Sequence, residues 1–204
     1  MRTHQPEAIV PIILAAGSSK LLGSPKPLAR FGSRTTLQIA IENCRNLGRR
    51  IVVLGCNASK IAPHAPPDVT ITINRNWRDG QLSSLLSALA FIPKSAAFML
   101  YPVDHPLLDQ STVDALAAAF RNRNSKQHIA MPKHKNRLGH PIIVSAKLRQ
   151  EFLTAETARE IVYGDPARNL VLPVSTSSIY EDFSTPESYR ECLRKFKHLD
   201  RKRT

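Results

Sequence analysis

The sequence is poor in several features that would announce a function outright. Among its 204 residues there are three cysteines, Cys44, Cys56 and Cys192, with neither a CxxC pair nor metal-ligand spacing. That argues against a zinc site or a disulfide scaffold, and for small buried apolar residues in a reducing cytosol. Aromatic residues make up 6% of the chain, and no RNP-type aromatic motif, zinc-finger spacing or helix-turn-helix signal accompanies the formal net charge of +13. Nucleic acid is therefore not the expected partner; the charge calls for an anionic partner or reads as a solvated basic surface. No apolar stretch approaches the roughly 20 residues that span a bilayer, so no membrane partner is expected. A secretory leader is not expected either. Arg2 precedes a short apolar run ending at Ala15-Ala16, but Pro6 and Glu7 sit badly for a leader, and the run enters a loop that the fold needs. Two familiar phosphate loops are missing as well. The spacing of Gly17 and Gly23, with Ser24-Pro25 after them, does not meet GxxxxGKS/T, and there is no GxGxxG.

What is present is an ordinary globular composition, 42% hydrophobic and 22% charged. Short apolar runs alternate with longer amphipathic segments. Candidate strands are Ile9 to Leu14, Ile51 to Leu54, Val69 to Ile73, Ala97 to Tyr101, His128 to Met131 and Ile142 to Val144, with late strands at Val171 to Val174 and Ile179 to Tyr180. Continuous β-branched runs such as IVPII and IVVLG suit strands covered on both faces. Helical segments are expected over Thr36 to Leu47 behind a threonine cap, over Gln81 to Phe91, and over Ser111 to Phe120 with Ser111 as the cap and Asp114 three residues on. The Pro-rich APHAPPD (62 to 68) reads as a loop. The alternation predicts a three-layer α/β/α fold with a mainly parallel sheet. One domain is expected over residues 1–190, followed by a basic, frayed tail over 191–204 (RKFKHLDRKRT at its end).

In such a sheet, ligands sit beyond the carboxyl ends of the strands. The first strand ends at Leu14, so the stretch LAAGSSKLLGSPKPL (14 to 28) is at that edge. Ala15, Ala16 and Gly17 are small enough to bring backbone N–H groups close to a polyphosphate, and Lys26 offers a point charge for a phosphate oxygen.

That stretch resembles the signature of the MobA-like nucleotidyltransferases, LAAGxSxRMGxxK, with Leu14 to Gly17, Ser19, Gly23 and Lys26 in register. Other boxes follow in order. VVLGCN (52 to 57) is similar to the family's second strand and its end, and NRNWRDGQLSSLLSAL (74 to 89) to its N-x-x-W-x-x-G-x-x-x-S segment, with Trp77, Gly80 and Ser84. YPVDHPLL (101 to 108) matches the DxP motif through Asp104 and Pro106. RLGHPIIV (137 to 144) is similar to the RGHPV box, GDPAR (164 to 168) to a shortened GDxGAR, and YEDFSTPESY (180 to 189) to DIDTPED. The LAAG opening and the GHP box are closer to molybdenum cofactor cytidylyltransferases than to the guanylyltransferases, which open LAGG.

The resemblance implies a Rossmann-like nucleotidyltransferase fold acting in the cytoplasm. It implies a nucleoside triphosphate, CTP favoured, with Mg²⁺ and a phosphate-bearing acceptor such as molybdopterin. Leu14, Ala15, Ala16, Gly17, Ser19, Gly23, Lys26, Gly80 and Ser84 would bind the nucleotide, and Asp104 would hold the metal. Lys26 would stabilise charge at the α-phosphate. His140 and Arg168 would touch the acceptor, although Arg168 reads equally as a solvated salt bridge and His140 as a structural histidine. Trp77 reads as a core or loop anchor. Two positions depart from the pattern. The arginine of SxRMG is Leu21, and the second acid of DIDTP is Ser184, a far weaker Mg²⁺ ligand than a carboxylate. A catalytically weakened or inactive nucleotide-binding relative is therefore the alternative reading.

Overall fold

A computed structural model describes residues 7–201; residues 1–6 and 202–204, which include Arg2, Pro6 and the last of the basic tail, lie outside the described residues. In chain order the elements are β1 (Ile9–Ala15), β2 (Arg30–Phe31), β3 (Arg34–Thr35), α1 (Thr36–Asn43), β4 (Ile51–Leu54), α2 (Ala58–Ile61), β5 (Thr70–Ile73), α3 (Gln81–Leu89), β6 (Ala97–Pro102) and α4 (Gln110–Arg121). There follow β7 (Ile129–His134), β8 (Arg137–Leu138), β9 (Ile142–Val144), α5 (Arg149–Thr154), α6 (Ala158–Tyr163), β10 (Asn169–Pro173) and α7 (Pro186–Arg201). The main sheet has eight strands in the order β10-β7-β9-β6-β1-β4-β5, with β8 paired to β7. Only β9 and β8 run against the rest. This is the three-layer, mainly parallel architecture that the alternation predicts, and the Rossmann-like fold that the resemblance implies.

Period-two geometry explains why the strands read as unbroken apolar runs. Along β1, Ile9, Ile13 and Ala15 face one core, shared with Leu37 and Ala40 of α1 and Val113, Leu116 and Phe120 of α4. Val10 and Ile12 face the other, shared with Leu85 and Ala88 of α3, Phe152 of α5 and Val162 of α6. The starts of α1 and α4 are set by side-chain caps. Thr35, one residue before the expected cap, accepts from the Gln38 amide at 3.2 Å, and Gln38 bonds back to the Thr35 amide at 2.8 Å, a full capping box. At α4 the cap is Asp109, which accepts from the Thr112 amide at 2.9 Å; Ser111 only donates to that same carboxylate. Ile179 to Tyr180 is not a strand but part of a 3-10 turn, Ser177–Tyr180.

The largest departure is at the carboxyl end. Residues 191–201 continue α7 without a break at 190. Tyr189, Cys192, Leu193 and Phe196 fall at i, i+3, i+4 and i+7, which makes one apolar stripe. The stripe seals a third cluster around Phe31 and Phe183, with ring centroids of Tyr189 and Phe196 at 5.4 and 5.5 Å from Phe31. Burying that stripe outweighs the self-repulsion of the basic residues around it, one of which, Lys195, pairs with Glu181 at 2.6 Å and Glu191 at 3.2 Å. All three cysteines are free. Burial pushes the thiols of Cys44 and Cys192 up to about 12 and about 11, so both act as packing groups.

Candidate active site

β1 and β6 lie side by side at the centre of the sheet with Leu14 opposite Pro102, so the segments leaving their carboxyl ends emerge together. The Val103 amide donates to the Leu14 carbonyl at 3.2 Å and stitches the two exits. After Ala16 the chain folds back at Ser19, whose φ of 54° is left-handed. The amides of Leu22 and Gly23 donate to the Ser19 carbonyl at 3.1 and 3.3 Å, and the Ser19 hydroxyl accepts from the Lys26 amide at 2.8 Å. The Thr36 hydroxyl then donates to the Lys26 carbonyl at 2.5 Å. With its backbone held on both sides, Lys26 carries its ammonium to 2.7 Å from Asp104 Oδ2.

Asp104 follows β6 and faces this lysine with one oxygen and the buried ring of His105 with the other, Nδ1 to Oδ1 at 3.2 Å. Burial works to raise the Asp104 carboxyl, but the hydrogen bond and charge of His105 and the charge of Lys26 outweigh it and hold the group well below the usual carboxylate range. Asp104 is therefore an anion, already neutralised by a cation.

The opposite wall is made by the start of α3. Asn74, buried, donates through Nδ2 to the hydroxyls of Ser83 and Ser84 at 2.9 and 3.0 Å, and its Oδ1 accepts from the Asn76 amide at 2.9 Å. Gly80, with φ at 91°, makes the entry into α3 that a side chain would strain. Trp77 packs on Gly55 so tightly that a Cβ on Gly55 would stand 2.7 Å from Trp77 Cβ and 2.8 Å from the Ala16 carbonyl oxygen. The Cys56 amide reaches that same carbonyl at 2.9 Å. Between the walls lies a cleft of about 490 Å³, bordered by Leu14 to Leu21, Lys26, Pro27, Trp77, Gly80, Gln81, Ser84, Pro102, Val103, Asp104 and Ser184.

A second cleft, of about 310 Å³, adjoins the first, and Gln81, Pro102 and Asp104 belong to both. His140 lies in this second cleft, its ring 5.3 Å from that of His105. Its Nδ1 is buried with no hydrogen-bond partner among the described residues. Burial, reinforced by His105 and opposed by Asp104, pushes the imidazole down to about 4, so it is neutral at pH 7.

Residues 11–168 match the MobA-like NTP transferase domain family. The chain belongs to that family. Curated relatives of this transferase include the nicotine blue oxidoreductase of Paenarthrobacter nicotinovorans, 28% identical over 89% of this chain and 95% of that one. They also include the molybdenum cofactor cytidylyltransferase of Escherichia coli, 25% identical over 89% of this chain and 94% of that one. Among solved structures, Rv0371c of Mycobacterium tuberculosis in complex with manganese superposes with a TM-score of 0.75 at 22% identity, over 93% of this chain and all of that one.

Most of the residues expected from the MobA-like signature converge: Leu14, Ala15, Ala16, Gly17, Ser19, Lys26, Gly80, Ser84 and Asp104 border one cleft, and His140 the next. Gly23 is off the wall, completing the turn that holds Lys26. Arg168 is a correction. It ends a 3-10 turn just before β10, at the amino-terminal edge of the sheet, where its guanidinium grips Glu151 at 2.9 Å and Asp165 at 3.4 Å. With Glu7 and Arg123, paired at 2.5 Å, it locks the edge opposite the clefts. Gly55 and Asn74 border neither cleft but hold the walls of the first, through Trp77 and Ala16 for the one and Ser84 for the other; the sequence motifs do not single them out, although both stand directly after strands. Leu21 and Ser184, the two departures, both border the first cleft, and Leu21 is 72% exposed.

The fit to a metal can be judged from the donors. Among the described residues no group of three or more His, Cys, Asp or Glu could hold an ion. Asp104 offers one carboxylate, and Ser184 borders the same cleft. That set fits a divalent ion that arrives with most of its oxygen ligands supplied by phosphate and water, and does not fit a resident all-protein site.

Proposed function

We propose that this MobA-like transferase moves CMP from CTP to a phosphate-bearing acceptor such as molybdopterin and releases pyrophosphate. The observation that carries the reading is the meeting of Lys26 and Asp104, 2.7 Å apart, where two clefts join at the carboxyl ends of β1 and β6. One cleft suits a nucleotide and the other an acceptor, with the reacting centre between them. The relation to the Escherichia coli cytidylyltransferase and the LAAG and GHP boxes support CTP.

Asp104 is the residue that would hold Mg²⁺, which when bound supplies positive charge against the triphosphate. The chain's own part is positioning and electrostatics. Backbone amides of the Ala15–Ser19 loop receive phosphate oxygens, and Lys26 turns from Asp104 to the α-phosphate as substrate enters. An acceptor phosphate oxygen attacks the α-phosphorus; the new O–P bond forms as the bond to the bridging oxygen breaks, and the electron pair leaves with pyrophosphate. The anionic nucleophile carries no proton that must be removed. Free thiols at Cys44, Cys56 and Cys192 support a cytoplasmic setting.

A second reading rests on Leu21 and Ser184, which leave part of the cleft wall uncharged, and on a relative named as an oxidoreductase. In it the cleft holds a nucleotide-containing ligand without transferring it. Pyrophosphate release measured with CTP, GTP and ATP, with molybdopterin and Mg²⁺ or Mn²⁺, separates the two. Release with CTP alone among the nucleotides supports the first reading. Tight nucleotide binding with no pyrophosphate under any combination leaves the second.

A further inference from the structure

We propose that Arg137 is the anion-binding residue of the second cleft, and that it takes the phosphate of a phosphate monoester. The proposal rests on the reading of that cleft as the acceptor site and adds the residue that recognises the acceptor's charge.

The observations start with local structure. Arg137 stands in the β7–β8 hairpin opposite His134, across a tight turn at Lys135-Asn136 in which Lys135 has φ of 53°. The hairpin's exit is pressed onto the 177–180 turn. A Cβ on Gly139 would stand 2.3 Å from the Ile179 carbonyl oxygen, and the His140 amide donates to that oxygen at 2.7 Å. Only glycine allows this approach, which holds the hairpin's exit against the turn that carries Tyr180. Its guanidinium lies over the ring of Tyr180, 4.3 Å from the centroid, on the wall of the cleft that also holds His140.

An arginine stacked in this way has its orientation fixed by the ring face while its N–H edge is left free to donate, the geometry that suits bidentate recognition of a phosphate. Arg137 has no carboxylate partner among the described residues, whereas Arg34, Arg50, Arg123 and Arg168 all do. Asp182 borders the same cleft, and its carboxylate disfavours an anion beside it, which leaves the Arg137 side as the place for a phosphate. The cleft also reaches Asp104, where it joins the nucleotide cleft. A monoester held by Arg137 lies in the cleft that opens on that junction, with part of its charge offset, which lowers the repulsion between two phosphate groups brought together.

The test uses the full chain and phenyl phosphate as probe, titrated while the histidine ring protons are followed by NMR, with His140 assigned from the spectrum of His140→Gln. The expected result is a saturable shift of the His140 ring signals. It is expected to weaken at least tenfold in Arg137→Gln and to recover in part in Arg137→Lys, while affinity for Mg²⁺-CTP stays within twofold in both variants. A wild-type protein whose His140 signals ignore phenyl phosphate would overturn the proposal. So would an Arg137→Gln variant that binds it equally well, or one that loses CTP and phenyl phosphate together. Failure of CTP transfer would instead remove the proposed reaction, and the titration would still report on Arg137.

Discussion

Gly55 joins the fold to the site, and its substitution by alanine tests both. The missing Cβ would meet Trp77 Cβ at 2.7 Å and the Ala16 carbonyl oxygen at 2.8 Å. Ordinary carbon contacts lie at about 3.5–4.0 Å, so Gly55→Ala must drive apart two walls of the cleft by roughly 0.8 Å or strain the backbone between them. Overpacking of this kind costs about 1–3 kcal/mol, and weakening the neighbouring bond from the Cys56 amide to Ala16 adds about 0.5–1.5 kcal/mol. The control is Gly17→Ala on the same loop. No protein atom lies within 4 Å of a Cβ there, so the methyl group meets only the open cleft. Urea unfolding should therefore find Gly55→Ala destabilised by about 2–4 kcal/mol and Gly17→Ala within about 0.5 kcal/mol of the parent. Calorimetric titration with Mg²⁺-CTP should find both variants weakened. A Gly55→Ala protein that unfolds like the parent would refute the packing argument. A Gly17→Ala protein that binds CTP undiminished would remove the 15-to-19 loop from the nucleotide site.

Three further outcomes follow from the site. His140 is held at about 4 against an ordinary 6.5, so between those pH values the unfolded chain binds a proton that the native one does not; stability should fall by about 3 kcal/mol as pH drops through that window, and His140→Gln should flatten that limb in pH-dependent unfolding. Asp104→Asn should abolish the Mg²⁺ dependence of nucleotide affinity while leaving the melting temperature within a few degrees; unchanged Mg²⁺ dependence would exclude Asp104 as the ligand. Leu21→Arg should tighten nucleoside triphosphate binding by about 1.5–3 kcal/mol, the range of a charge-assisted hydrogen bond, and a null result in calorimetry would mean that Lys20, on the same cleft, already fills the role.

The centre of the fold was legible because strands buried on both faces leave unbroken apolar runs, and β1, β4 and β6 fall within a residue or two of IVPII, IVVLG and AFMLY. The cleft was legible because its residues are tied to strand ends by short local devices, a backbone turn at Ser19 and a glycine at Gly80, that leave a mark in sequence. What failed was long-range. Arg168 carries the chemistry expected of an acceptor ligand, but the parallel direction of β10 puts it at the wrong edge, and strand direction is a property of pairing that no local pattern reports. The carboxyl end failed for a different reason. Counting charges in RKFKHLDRKRT hid the stripe of Tyr189, Cys192, Leu193 and Phe196, whose partners Phe31 and Phe183 are distant in sequence or outside the charged run. Gly55 and Gly139 are glycines because of side chains and carbonyls that meet them only in three dimensions.

The two departures from the MobA-like pattern are not spread at random over the site. Leu21 and Ser184 border the first cleft and are absent from the second. Lys26 and Asp104, at or beside the junction, keep their residue types and their 2.7 Å contact. If the lost arginine of the family pattern met the outer phosphates, the grip diminished in the proposed site would be that on the end of the nucleotide that leaves as pyrophosphate. A weaker grip there would lower affinity for the triphosphate relative to shorter nucleotides and leave the α-phosphate environment unchanged. The separation is measurable in one series. If CTP, CDP and CMP bind this protein within a few-fold of one another, and Leu21→Arg restores a preference for CTP without changing CMP affinity, then the two ends of the cleft are energetically independent. If Leu21→Arg tightens all three alike, the leucine side chain faces the nucleoside instead, and the loop runs along a path different from the one the family pattern implies.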